Sequence, residues 1–462
     1  MTRRAAFCLG LLALTAPAAP AADRPAAVPV GVASVDITPK TPVRLIGYAS
    51  RKAESEGVES RLKAKALAIG GDPDGPAVLI TVDNCGFPAA LTDEVAARLK
   101  TRAGVPRERV AVCATHTHCA PCLGGNLFIQ FGGPLPPDQE AHINAYTREL
   151  VDALEKVALD ALADRKPGLL SWARGSATFA ANRRVLKNGK WVGFGVNPAG
   201  PVDHSVPLLR VTDAAGALRA VVAGYACHCT TLGGEFNKVC GDWAGYACEA
   251  IERDHPGATA LVVIGCGADA NPEPRRGLDD AKRHGASFAA EVSRLLNGPL
   301  LPVPGRVTAS YRVIALPFGT PPTRDQFVKQ AKEKGPTGYA AQIQLKRLDD
   351  GTGLAKTVDY PVQAWSFGDA LAIVFLGGEV VVDYAIRLNR ECDANRLWVV
   401  AYANDVPCYI ASKRVIHEGG YEVDSSMIYY GRPTRLAPEA DDLIVKAVHD
   451  VLPDTFDAAR QP

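Results

Sequence analysis

The stretch ATHTHCAPCLGGN at residues 114–126 places His116, His118, Cys119 and Cys122 within seven positions. Imidazole and thiolate are both zinc donors, so this loop alone could close a four-ligand structural site. A Cys-x-x-Cys pair could instead act as a redox dithiol, and His-x-His could be one corner of an open catalytic site with distant partners. Other chemistry-bearing residues recur just after apolar runs: Asp83 and Asn84 after AVLITV, His228 after RAVVAGYA, and Asp269 with Asn271 after ATALVVI. Glu379 follows LAIVFL, and Asn404 and Tyr409 follow LWVVAY. A catalytic zinc takes three protein ligands and keeps one position for water or substrate, which suits hydrolysis of an amide or ester. His116, His228 and Glu379 have the right types for such a set.

The apolar runs at 77–82, 110–114, 218–226, 258–264, 371–376 and 397–402 are short and β-branched, and they read as buried strands. Helical patterns at 91–102, 142–163, 243–253 and 279–296 fall between some of them, and one more covers 438–451. This alternation predicts an α/β fold with a mixed β-sheet core and flanking helices. The Pro- and Gly-rich connections are too short to mark a boundary, so residues 28–455 are expected to form a single domain. In open α/β sheets the ligand crevice lies at the carboxyl ends of the strands, which is where the polar residues above stand.

Lys+Arg 51 against Asp+Glu 50 leaves a formal charge of +1, so no overall field draws in nucleic acid or an anionic membrane. The expected partner is a small-molecule or lipid-like substrate. The opening MTRRAAFCLGLLALTAPAAPAAD runs from basic to apolar to small residues, the order of a secretory signal peptide over 1–21, which predicts a secreted or periplasmic protein. No later stretch approaches a transmembrane span. Twelve cysteines include Cys8 in the leader, and an odd remainder of eleven means at least one unpaired thiol.

In collinear order the chain carries GVASVDITP (31–39), ATHTH followed by Pro and two Gly, ANRR (181–184), VNP (196–198), VDHSVPLLRV (202–211) and YACH (225–228). It continues with GDWAGYA (241–247), GCGADANP (265–272), GGE (377–379), ANDVPCYI (403–410), GGYE (419–422) and YYG (429–431). In this order of motifs it resembles the neutral/alkaline non-lysosomal ceramidases in their N-terminal catalytic domain. The resemblance implies the ceramidase catalytic fold and one zinc ion per chain, held by His116, His228, Glu379 and Tyr409. It also implies that His118 and Arg183 contact the substrate amide or support proton transfer, roles that a near-neutral imidazole and a guanidinium can fill. Tyr421 corresponds to the Tyr of a later YE pair.

Two features depart from that family. Its catalytic serine loop corresponds here to Gly267-Ala268-Asp269-Ala270-Asn271-Pro272, which has no serine. Ceramidases also continue into an immunoglobulin-like β domain, whereas one helical stretch and a short tail follow Tyr430 here. The expectation is therefore an exported zinc hydrolase that cleaves an N-acyl or related bond by direct attack of metal-activated water, with Asp269 or His118 as general base. Two other readings stay open. One is a metal-dependent hydrolase of carbohydrate derivatives, using Asp269, Glu379 and Glu422 with Trp191 or Trp243 stacked on a sugar; the other is a non-catalytic secreted binding protein. Cys119 and Cys122 could form a local disulfide, pair with Cys227 or Cys229, or simply pack.

Overall fold

The computed structural model describes residues 26–72 and 75–458; the leader expected at 1–21 lies outside them. The first sheet runs Thr259–Ile264, Leu218–Tyr225, Ser205–Asp213, Lys166–Ser176, Val28–Asp36, Lys63–Ile69, Ala77–Val82, Val110–Ala114, with Leu301–Val303 added on Lys166–Ser176. The two outermost pairs are parallel, and the inner pairs are antiparallel. A second sheet runs Val307–Pro317, Thr357–Phe367, Leu371–Leu376, Leu397–Val400, and its last pair is parallel.

The two sheets stack face to face. Leu67, Leu79, Leu209 and Leu261 of the first share one buried cluster with Trp365, Phe367, Phe375 and Trp398 of the second. The alternate side chains of the same strands, such as Val78, Ile80 and Val82, turn to the opposite face, as the two-residue period requires. There they meet Leu150 and Leu154 of helix Pro137–Ala163, Trp243 and Ile251 of Asp242–Asp254, and Phe288 of Leu278–Leu296. Outside the second sheet, Tyr384 and Leu388 of helix Val382–Glu391 and Ile444 and Val448 of Glu439–Val451 join the same core. Both faces of each sheet are thus covered, which is why so many strands read as unbroken apolar runs.

One short segment joins the carboxyl ends of the strands. Immediately after Leu397–Val400, Ala401 N–H donates to Ile264 O (2.8 Å) and Asn404 N–H to Val112 O (2.7 Å), while Tyr402 O accepts from Ala114 N–H (3.1 Å). Tyr402 and Ala403 N–H donate back to Gly378 and Leu376 of the second sheet, each at 3.1 Å. Tyr402 (φ 54°) and Asn404 (φ 65°) take left-handed backbone to do so, and this seam brings both outer strands of the first sheet against the end of the second.

All eleven described cysteines are buried and unpaired. Cys119 packs beside Arg51, and Cys122 points to the carbonyls of Leu123 and Asn126, so the Cys-x-x-Cys pair forms neither a disulfide nor a metal clamp. Burial pushes the Cys122 and Cys248 thiols up to about 12, so they stay protonated and unreactive. Thiol titration should therefore find almost no reactive cysteine in the native protein and eleven after denaturation without reductant; a native count near eleven would refute this packing. No helix among the described residues is long and apolar enough to cross a membrane.

Candidate metal centre

The strand Val110–Ala114 ends two residues before His116, whose left-handed backbone (φ 58°) turns its ring beneath the seam. Its Nδ1 meets the carbonyl of Cys85 at 2.5 Å, which fixes the N–H on that atom and leaves the Nε2 lone pair facing inward. His228 follows Leu218–Tyr225 and repeats the arrangement, with Nδ1 on Gly267 O at 2.8 Å. Gly267 has to be glycine for this contact, because a Cβ would stand 2.5 Å from the backbone of Ala226 and Cys227. Glu379 and Tyr409 come from a separate two-residue parallel ladder beyond the second sheet, Glu379–Val380/Tyr409–Ile410, where they pair and so stand on one face.

The three inward donors converge. Glu379 Oε2 lies 3.2 Å from His116 Nε2 and 3.1 Å from His228 Nε2. Tetrahedral ligands at zinc–nitrogen lengths of about 2.0–2.1 Å sit ~3.3 Å apart, so this set fits one divalent ion. The Tyr409 hydroxyl is 3.4 Å from His228 Nε2, close enough to complete the set. Cys85, His116 and His118 are also near one another, but His116 Nδ1 serves the Cys85 carbonyl, and the Nε2 that remains is the atom beside Glu379. Electrostatics split the two imidazoles: burial, with the Arg183 guanidinium beside it, pushes His228 down to about 3. Burial opposes charge on His116, yet Cys85 and Glu379 outweigh it and lift the ring to about 10. Burial likewise opposes charge on Glu379, but the two histidines hold it well below the usual carboxylate range.

Around this centre stand the groups that can act on a substrate. His118 points Nε2 toward His116 Nε2 (3.0 Å) while its Nδ1 lies 3.2 Å from Gly47 O. Burial, with His116 and His228 beside it, holds His118 well below its ordinary value, so its ring is neutral. Arg183 is buried: Nε donates to Glu422 Oε1 (2.9 Å) and Nη2 to the Tyr409 hydroxyl (3.1 Å), while Nη1 lies 3.2 Å from His228 Nε2 and 3.4 Å from Asn271 Oδ1. Its neighbour Arg184 turns the other way into a buried ion pair with Glu418 and Glu422. Tyr421 opens a single π-helical turn, Tyr421–Ser425, and lines the cavity with its ring 5.5 Å from that of Tyr409. The cavity measures about 330 Å³ and is lined among others by His118, Arg183, Glu379, Tyr409 and Tyr421.

Asp269 is not brought to this cavity. Its carboxylate is fully buried and accepts from Val382 N–H (2.9 Å) and Asn182 Nδ2 (3.2 Å), tying a helix N-terminus to the strand before Arg183. The expectation of Asp269 as general base is corrected accordingly. The residue after it joins a short ladder, Ala270–Pro272 on Ala180–Asn182, and it is Asn271 that reaches the cavity. Burial raises the Asp269 carboxyl to about 7 from its usual 3.8, so the fold is favoured by its proton at low pH and loses that gain as pH climbs from about 4 to about 7. Asp269→Asn should flatten this part of the stability–pH curve and lower activity by less than about tenfold, whereas loss of a general base costs 10²–10⁴-fold. A collapse of activity at unchanged stability would return Asp269 to the chemistry.

The sugar-stacking tryptophans are not where that reading needs them either. Trp243 is wholly buried with its indole N–H on His228 O (2.9 Å), and Trp191 is not among the cavity-lining residues. Sequence reasoning missed Tyr430, whose hydroxyl donates to Glu379 Oε1, and the two carbonyls that orient the histidines. The YYG motif holds Tyr430 and was the one available signal.

Residues 29–289 match the family described as neutral/alkaline non-lysosomal ceramidase, N-terminal. The chain is 29% identical over 252 residues to a neutral ceramidase of Pseudomonas aeruginosa, covering 53% of this chain and 36% of that protein. It is 27% identical over 264 residues to the neutral ceramidase of Drosophila melanogaster, covering 52% and 35%. The chain thus spans about a third of the length of these curated relatives. In fold it is similar to the crystal structure of the Pseudomonas aeruginosa enzyme, with a TM-score of 0.68 at 20% identity over 92% of this chain and 74% of that one. A second ceramidase structure, described as complexed with C2, gives 0.69 at 20% identity over 94% and 77%. The matched span contains His116, Arg183 and His228, while the likeness in fold extends over nearly the whole chain: it belongs to the neutral/alkaline non-lysosomal ceramidase family.

Proposed function

We propose that the protein is an exported zinc-dependent hydrolase that cleaves an N-acyl amide or a related ester. The observation that carries this reading is the convergence of His116, His228 and Glu379 from three separate strand ends, with both imidazoles locked by carbonyls so that Nε2 faces inward. Tyr409 is the fourth ligand. A divalent ion held there supplies Lewis acidity, polarising a carbonyl oxygen and acidifying water. The chain's own groups do the rest. His118 Nε2 takes the proton from the attacking water as its oxygen bonds to the acyl carbon, and returns it to the leaving nitrogen as the C–N bond breaks. Arg183 turns its Nη groups toward the same centre and stabilises negative charge on the carbonyl oxygen. Tyr421 closes the cavity wall and limits water. No serine is needed in this route, which is consistent with Ala270 being buried in the ladder.

Export rests on the order of residues in the leader. Eleven free thiols would be a liability in an oxidising space, and their burial is compatible with it. The reading is tested by metal analysis of protein purified without chelator, which should contain about one zinc per chain. The same protein should be assayed on matched N-acyl, ester and glycoside substrates with and without zinc. Turnover confined to glycosides, or metal-free protein of full activity, would overturn it. His118→Ala should keep its zinc yet lose about 10²–10⁴-fold in kcat.

A further inference from the structure

The cavity beside the metal centre carries more positive charge than a neutral amide requires. Arg183, Arg275 and Arg276 line it, and Glu379 is the one carboxylate among the lining residues. Arg183 is balanced by Glu422, and Glu379 is engaged by His116, His228 and Tyr430. The side chains of Arg275 and Arg276 have no hydrogen bond or ion pair among the described residues, and Arg275 Nε is buried without an acceptor. Gln130 lines the same cavity at 3% exposure; its Oε1 takes the N–H of Gly47 at 3.0 Å, while its Nε2 is buried with no partner. Two unmet buried donors on residues that line one cavity are an exception to the rule that buried polar groups are paired.

The loop that holds the arginines is built for the position. It follows the ladder strand Ala270–Pro272, which places Asn271 in the cavity, and Arg276 adopts left-handed backbone (φ 91°) with its N–H on Thr231 O at 2.6 Å. A non-glycine residue held there is the kind of local strain that collects at ligand sites. Beside five tyrosines, the remaining walls hold only two large aliphatic or phenyl side chains, Leu127 and Phe194.

We infer that the substrate is a small N-acyl compound whose polar end carries an anion, a carboxylate or a phosphate, gripped by Arg275 and Arg276. Guanidinium forks suit both anions, since each offers two oxygens to parallel N–H donors. This rests on the amide-hydrolase reading for the bond cut; the arginines select the substrate and leave that chemistry as written above.

The test compares three compounds that share an N-hexanoyl group: N-hexanoylglycine, O-phospho-N-hexanoylethanolamine and neutral N-hexanoylethanolamine. Calorimetric binding and turnover are measured side by side on the zinc-loaded protein. At least one anion should bind about tenfold tighter than the neutral compound, and the tighter of the two identifies carboxylate or phosphate. The R275Q R276Q double variant should reduce that preference to less than about threefold. If the double variant does not fold, R276Q alone decides, since it alters an exposed side chain and should remove part of the preference. Equal binding of all three, binding of none, or a preference untouched in the variant overturns the inference. Anion preference without turnover of any compound would instead sink the hydrolase reading and leave the anion site standing.

Discussion

A His228→Ala protein is expected to leave purification with under about a tenth of the wild-type zinc and with kcat/KM down roughly 10³-fold, as several kcal/mol of metal-derived stabilisation disappear. The size of the effect follows from the geometry. His228 contributes one of three close donors, and its ring also spaces Glu379 from Tyr409. Removing it leaves two protein donors plus a hydroxyl that burial holds well above its ordinary value, so Tyr409 alone cannot hold the charge of the ion. The variant also frees the Gly267 carbonyl inside the core, so folding has to be checked by circular dichroism beside metal content. Glu379→Gln is the companion: it keeps the shape, removes the negative charge and should lose zinc as well. Normal zinc in either folded variant would refute the ligand set.

Arg183→Gln should show two separable losses. Its guanidinium faces the reacting centre, so catalysis should fall by about 10²–10³-fold, the usual cost of deleting a donor to developing negative charge. It also compensates Glu422, which is wholly buried between Arg183 and Arg184. Breaking one side of a buried ion pair costs roughly 3–5 kcal/mol, reduced here because Arg184 stays in place. The double change Arg183→Gln with Glu422→Gln should recover much of the stability and none of the activity. Thermal melts and kcat/KM on the single and double variants measure both; recovery of activity in the double variant would show that Arg183 serves the fold alone.

Much of this arrangement could be read from residues. The runs AVLITV, VAVCA and LAIVFL occupy strands with the boundaries expected from composition; His116, His118 and Glu379 after the last two lie close together, whereas Asp83 and Asn84 after the first are not among the cavity-lining residues. The stacking of a second sheet on the first was not legible, because a strand covered by a sheet and one covered by a helix carry the same apolar pattern. Position after a strand also does not tell which way a side chain points. Asp269 and Asn271 both follow Thr259–Ile264, yet Asp269 turns back to brace Val382 and Asn271 reaches the cavity. The carbonyls of Cys85 and Gly267 that orient the histidines are backbone groups, and no residue type announces them.

The seam at 401–404 has a consequence for the order in which the molecule forms. Two donors of the candidate centre follow strands of the first sheet, and two lie on the short ladder reached after strands of the second, so the site is complete only when both halves of the sandwich have met. A nascent chain that has emerged only to residue 289 holds His116 and His228 but no Glu379, and it leaves Leu67, Leu79, Leu209 and Leu261 without the sheet that covers them. Such long-range closure is slow, because distant segments must be ordered before their contacts repay the lost freedom. By this argument the candidate centre closes late in folding, once the two sheets have docked.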